Sequence, residues 1–139
     1  MPKGSGQAVR SHHVALSVRD VEATKSFYEL FGFEEVLRVD GPVTFIHLAG
    51  VDGFVLELFC YAENSAAPAL AGSAGNDLER IGVKHLGLRV DDVEAVRSRL
   101  MASGIEGVTK VRRGVADIDY FFVADPDGIW VEVLQVGGA

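Results

Sequence analysis

Lys84-His85-Leu86-Gly87-Leu88-Arg89-Val90-Asp91-Asp92-Val93-Glu94-Ala95 is a second writing of His13-Val14-Ala15-Leu16-Ser17-Val18-Arg19-Asp20-Val21-Glu22-Ala23. An offset of 72 carries His13 to His85, Asp20 to Asp92, Glu22 to Glu94, Ser26 to Ser98, Gly32 to Gly104 and Glu34 to Glu106 without a gap. Two copies of one strand-then-helix phrase imply two copies of one structural unit. In the first copy Val14, Leu16 and Val18 alternate with His13, Ala15 and Ser17, the period of a half-buried strand. Asp20 then stands where a helix N-cap belongs, Val21, Ala23, Phe27, Leu30 and Phe31 follow near helical spacing, and Gly32 suits the left-handed C-terminal position.

Past this helix the sequence predicts three strands joined by tight turns: Phe33 to Asp40, Val43 to Ala49 after Gly41-Pro42, and Phe54 to Cys60 after Val51-Asp52-Gly53. The unit is therefore βαβββ. The second copy predicts a strand over 83–90, a helix from Asp91 or Asp92 to about Ser103, strands over 105–112 and 118–124, the turn Asp125-Pro126-Asp127-Gly128, and a last strand ending at Val136. Asp52 to Phe59 matches Asp127 to Leu134 at an offset of 75, so the second copy has gained three residues in its hairpins. Residues 1–11 read as a flexible tail. Residues 61–82 are small and loop-like, a linker between modules at about 12–60 and 83–136 that is also placed to act as a lid. The expected fold class is α+β: two tandem βαβββ modules forming a curved eight-stranded mixed sheet with an open, barrel-like cavity and helices on the outer face.

Composition narrows the class of partner. The chain has 139 residues, 48% hydrophobic and 24% charged, the balance of a globular protein with a real core. A formal charge of -7 without a basic run argues against nucleic acid and against anionic lipid, leaving a small-molecule ligand as the expected partner. A single cysteine, Cys60, excludes an intrachain disulfide, fits a reducing compartment, and by parity with Leu56 and Leu58 is expected in the core. The N-terminal residues lack the apolar centre of a signal peptide and no apolar run is long enough for a membrane helix, so a soluble, cytoplasmic protein is expected.

Strand parity selects the residues on the face that the helices do not cover. These are His13; Glu57 with Val55 and Phe59; His85 with Gly87 and Arg89; and Glu132 with Trp130 and Leu134. A glutamate within Val-Leu-Glu-Leu-Phe or Trp-Val-Glu-Val-Leu needs a cation, a hydrogen-bond network or solvent, because an unpaired buried carboxylate costs several kcal/mol. Imidazole nitrogen and carboxylate oxygen together suit a divalent transition metal, here one ion of nickel, zinc, cobalt, manganese or iron, with positions left open for water or substrate. His12 could replace His13 only through a register shift that turns Val14 and Leu16 away from the helix. His47, Arg89, Tyr120, Phe122, Trp130 and Phe59 are the candidate substrate-pocket residues. Each has an ordinary alternative: a strand histidine, a rim ion pair, plain aromatic packing.

The paired His-x-x-Leu-x-Val-x-Asp phrases, the Asp-Pro-Asp-Gly turn before a Glu-bearing last strand, and the βαβββ repeat resemble the vicinal oxygen chelate superfamily over about residues 12–136. That superfamily includes glyoxalase I, methylmalonyl-CoA epimerase, extradiol dioxygenases, and fosfomycin and bleomycin resistance proteins. The resemblance implies a single domain over 12–136 with metal positions at His13, Glu57, His85 and Glu132, an order that looks like glyoxalase I. It further implies a lyase or isomerase acting on a substrate with two neighbouring oxygens through an enediolate. Glu132 would be the preferred general base, with Glu57 the alternative, and the assembly a homodimer. The resemblance also admits a drug-binding protein of the bleomycin type, an epimerase, or a dioxygenase for which only His47 and Tyr120 offer further side chains.

Overall fold

A computed structural model describes residues 6–61, 74 and 78–137. The proposed linker and lid fall largely on 62–73 and 75–77, outside the described residues. The chain divides into two compact units, Met1–Ser65 and Ala66–Ala139. The eight expected strands are present as two four-stranded mixed sheets, one per unit, rather than as one ladder of eight.

In the first unit β1 (His13–Ser17), α1 (Val21–Glu29), β2 (Glu34–Val39), β3 (Val43–Ala49) and β4 (Val55–Tyr61) follow in chain order. The sheet order is β1-β4-β3-β2, with β1 parallel to β4 and the other pairs antiparallel. The Asp20 carboxylate accepts from the Glu22 and Ala23 N–H groups at 2.9 and 3.2 Å, satisfying donors that a helix start leaves open. Phe27 and Tyr28 of α1 are buried, as are Leu16, Ile46, Leu48, Leu56 and Leu58 from the alternate positions of β1, β3 and β4. Arg38 adds a polar strap to this helix side. Its Nη2 donates at 2.7 Å both to Glu22 on α1 and to Glu35 on its own strand. The hydrogen bond from Arg38 holds the Glu35 carboxyl below the usual carboxylate range, partial burial pushing the other way.

Thr24 is also fully buried on α1, and its Oγ1 has no hydrogen-bond partner among the described residues. The second repeat carries Val96 at the corresponding position. Thr24→Val keeps the shape and removes an unsatisfied hydroxyl, so it is expected to stabilise the protein by about 1 kcal/mol, read as a higher midpoint in urea unfolding. An unchanged or lower midpoint would mean that the hydroxyl is satisfied in solution.

The second unit repeats the order as β5 (Leu86–Arg89), α2 (Val93–Ala102), β6 (Arg112–Arg113), β7 (Ile118–Ala124) and β8 (Trp130–Val136), with sheet order β5-β8-β7-β6. Asp92 caps α2 by accepting from the Ala95 N–H at 3.1 Å. Val93, Leu100, Phe121, Val123, Val131 and Val133 form the apolar layer.

Two strands are shorter than the sequence predicts. The strand expected over 83–90 begins at Leu86, which leaves His85 just ahead of it. The strand expected over 105–112 is reduced to Arg112–Arg113. Arg97 on α2 donates to the Thr109 carbonyl at 2.7 Å. The Thr109 N–H still donates to the Phe122 carbonyl at 3.0 Å, but the Phe122 N–H donates instead to Thr109 Oγ1 at 2.8 Å. A side-chain hydroxyl thus replaces a rung of the ladder. Cys60 is half-buried rather than a full core residue, its Sγ lying 3.4 Å from the Arg19 carbonyl oxygen. No helix among the described residues is long and apolar enough to cross a membrane.

Candidate metal and substrate site

The face of each sheet opposite its helix carries the side chains selected by parity. In the first unit Glu57, at the middle of β4, pairs with Ala15 on β1 and with His47 on β3. The small Ala15 leaves room beside the carboxylate, and His13 reaches it from the start of β1. Glu57 Oε1 lies 3.7 Å from His13 Nε2, and Glu57 Oε2 lies 2.8 Å from His47 Nε2. The two carboxylate oxygens are therefore addressed by different imidazoles. Both Glu57 and His47 are mostly shielded, with 17% and 20% side-chain exposure, whereas His13 is at 38%. Phe45 packs on His47 with ring centres 4.9 Å apart and on Phe59 at 5.2 Å, which gives this face an apolar floor.

His12 has a place here that the sequence did not suggest. The observed register sets His13 opposite Val55, so His13 takes the strand position and the alternative with His12 does not arise. His12 Nδ1 instead lies 2.8 Å from His13 Nδ1, with the rings edge to face. When His13 Nδ1 is the donor of this bond, its Nε2 presents a lone pair toward Glu57, the tautomer a metal ligand needs. The only signal available in the sequence was the His12-His13 doublet itself.

In the second unit Glu132, in the middle of β8, pairs with Gly87 on β5 and Phe122 on β7. His85 Nε2 lies 2.9 Å from Glu132 Oε2, with side-chain exposures of 23% and 20%. The ring of Phe122 meets His85 edge to face at 5.1 Å, and Tyr120 packs on Phe122 at 5.7 Å. Trp130 lies two residues before Glu132 on the same face, and its buried Nε1 has no hydrogen-bond partner among the described residues. Arg89 is exposed at the end of β5 beside Leu134, with no ion pair among the described residues, so the expected rim salt bridge is not formed.

The turn before β8 is built by a buried aspartate. Asp125 Oδ1 accepts from the Asp127 and Ile129 N–H groups at 2.8 and 3.0 Å, and Gly128 turns with φ +83°. This turn joins β7 to β8, whose register brings Glu132 beside Phe122.

Each repeat therefore supplies one imidazole Nε2 and one carboxylate oxygen 3.7 or 2.9 Å apart. Two ligand atoms sharing an edge around a divalent ion, each about 2.1 Å from it, lie roughly 3 Å apart, so these donor pairs fit such an ion in chemistry and in spacing. Among the described residues no three His, Cys, Asp or Glu side chains converge closely enough to hold an ion by themselves.

The comparisons with known proteins bear on the family and the fold. The profile of the "Glyoxalase/Bleomycin resistance protein/Dioxygenase superfamily" matches residues 10–133. Lactoylglutathione lyase from Schizosaccharomyces pombe is 30% identical over 146 aligned positions, covering 96% of this chain and 47% of that protein, so the chain spans about half the length of this curated relative. The crystal structure of a glyoxalase family protein from Enterococcus faecalis superposes with a TM-score of 0.72 at 27% identity, covering 90% of this chain and 96% of that one. A bleomycin resistance determinant encoded on the transposon Tn5 gives a TM-score of 0.66 at 21% identity over 94% of this chain and all of the other (100%), a likeness of fold.

Proposed function

The chain belongs to the glyoxalase/bleomycin resistance protein/dioxygenase superfamily, and from that premise we propose that it is a metal-dependent lyase or isomerase of glyoxalase type. The observation that carries the proposal is the repeated His–Glu pair, His13 with Glu57 and His85 with Glu132, at equivalent places in two copies of one unit. We propose that the repeats act as one domain over residues 12–136. The four side chains would hold one divalent ion (nickel, zinc, cobalt, manganese or iron), from a single chain or from two chains of a cytoplasmic homodimer.

When bound, the ion would supply Lewis-acid stabilisation of negative charge on two neighbouring substrate oxygens. The protein's own part is proton transfer and exclusion of water. Glu132 accepts the proton from the carbon next to the carbonyl and returns it to the neighbouring carbon, so the isomerisation is redox-neutral. Glu57 is the alternative base. Tyr120, Phe122 and Trp130 in the second unit and Phe45 and Phe59 in the first put apolar surface on the faces that carry the two carboxylates and help to exclude water. Arg89 is available to an anionic group on the substrate. The name of the lyase relative suggests the class to try first, lactoylglutathione and like thiol conjugates. Chelator-treated protein should be inactive on it, and stoichiometric nickel, zinc or cobalt should restore turnover. Turnover that survives complete metal removal would contradict the proposal.

A second reading, a binding protein of the bleomycin resistance type, draws on the aromatic face that Phe122 and Tyr120 form by packing on each other at 5.7 Å, a surface suited to a flat apolar ligand. Tight drug binding that is the same in His85→Ala and in chelator-treated protein would favour it.

A further inference from the structure

The two half-sites differ most in chemistry at the register position beside the glutamate on the antiparallel neighbour. Beside Glu57 on the neighbouring antiparallel strand stands His47, and beside Glu132 stands Phe122. The offset of 75 that aligns the last strands also aligns these two residues, so one position of the repeat has diverged from imidazole to phenyl. The contacts have diverged with it. His47 Nε2 bonds the Glu57 carboxylate at 2.8 Å, while Phe122 has nothing to offer Glu132 and packs edge to face on His85 at 5.1 Å.

We propose that His47 is the positioning residue for Glu57. It holds Oε2 so that Oε1 alone is presented on the His13 side. This rests on the metal reading above. A carboxylate that ligates an ion can only accept, so the hydrogen bond at 2.8 Å requires the His47 Nε2–H form. A protonated Nε2 has no lone pair, which separates His47 from the metal ligands by chemistry. Its ring is fixed independently of any ion: β3–β4 pairing sets its backbone opposite Glu57, and Phe45 packs against the ring at 4.9 Å. An outer hydrogen-bond partner of this kind orients a ligand carboxylate and limits the conformations lost on binding.

The test compares wild type, His47→Phe, His47→Gln and Phe122→His for Co²⁺ affinity by calorimetry and for the visible absorption of the Co²⁺-loaded protein. His47→Phe copies the residue that the second repeat uses at this place, and circular dichroism checks its fold. It should weaken Co²⁺ binding about 10- to 100-fold and alter the absorption bands. His47→Gln keeps an N–H donor near the same point and should recover most of the affinity, a rescue that a purely steric role would not give. Phe122→His should leave Co²⁺ affinity equal to or tighter than wild type. Wild-type affinity and an unchanged spectrum in His47→Phe would overturn this inference alone. Failure of wild type to bind any Co²⁺ would overturn the metal reading, and the inference with it.

Discussion

Glu132→Gln should lose turnover by about 10²- to 10⁴-fold, the usual contribution of a positioned general base. The substitution is nearly isosteric, so Val131 and Val133, which flank it and are fully buried, keep their places in the apolar layer. The amide can still meet His85 through its oxygen, but it cannot take a proton from carbon. Metal affinity should fall far less than turnover, because three donors and one amide oxygen remain. The informative readout is therefore the separation of the two effects: kcat collapses in protein that still carries its ion. Turnover within a few-fold of wild type would remove Glu132 as the base and leave Glu57 to be tested in the same way. Equal collapse of metal content and activity would assign Glu132 a ligand's role only.

The second large effect is expected in metal binding. His85→Ala removes one of two imidazoles and leaves Glu132 with no imidazole beside it, since its nearest neighbours across the sheet are Gly87 and Phe122. Loss of an outer partner typically weakens metal sites about 10- to 100-fold, and loss of a direct ligand should exceed that. Stability should change little, because His85 lies ahead of β5 rather than within the apolar layer. Calorimetric titration of Zn²⁺ or Ni²⁺ into the stripped protein, alongside thermal unfolding without metal, separates the two. A variant that unfolds like wild type and binds metal like wild type would place the site elsewhere.

The repeat was legible because its marks are local. An aspartate cap, an alternating strand and a glycine in a turn each act within a few residues, so β3 at Val43–Ala49 and β7 at Ile118–Ala124 coincide with the strands the sequence predicts. Parity likewise placed Glu57 and Glu132 opposite the buried leucines and valines, since side chains alternate whatever the neighbouring strand does. What parity does not give is the partner across the ladder. His47 could be assigned to a face but not to Glu57, because that contact depends on the register of β3 against β4. The missing length of β6 has the same origin: the Phe122 N–H on β7 goes to the Thr109 hydroxyl rather than to a backbone carbonyl, and nothing in the strand's own alternation announces it. Likewise, Cys60 has core parity but lies at the end of its ladder, where the sheet no longer covers it fully.

The most direct measurement is X-ray absorption at the cobalt edge on protein loaded with Co²⁺, with metal content determined on the same sample. The proposed site predicts one ion per chain, two imidazoles in its first shell, and oxygen donors at the remaining positions, with one imidazole lost in His85→Ala and one in His13→Ala. A shell of oxygen alone, or one that is unchanged in both variants, would contradict it.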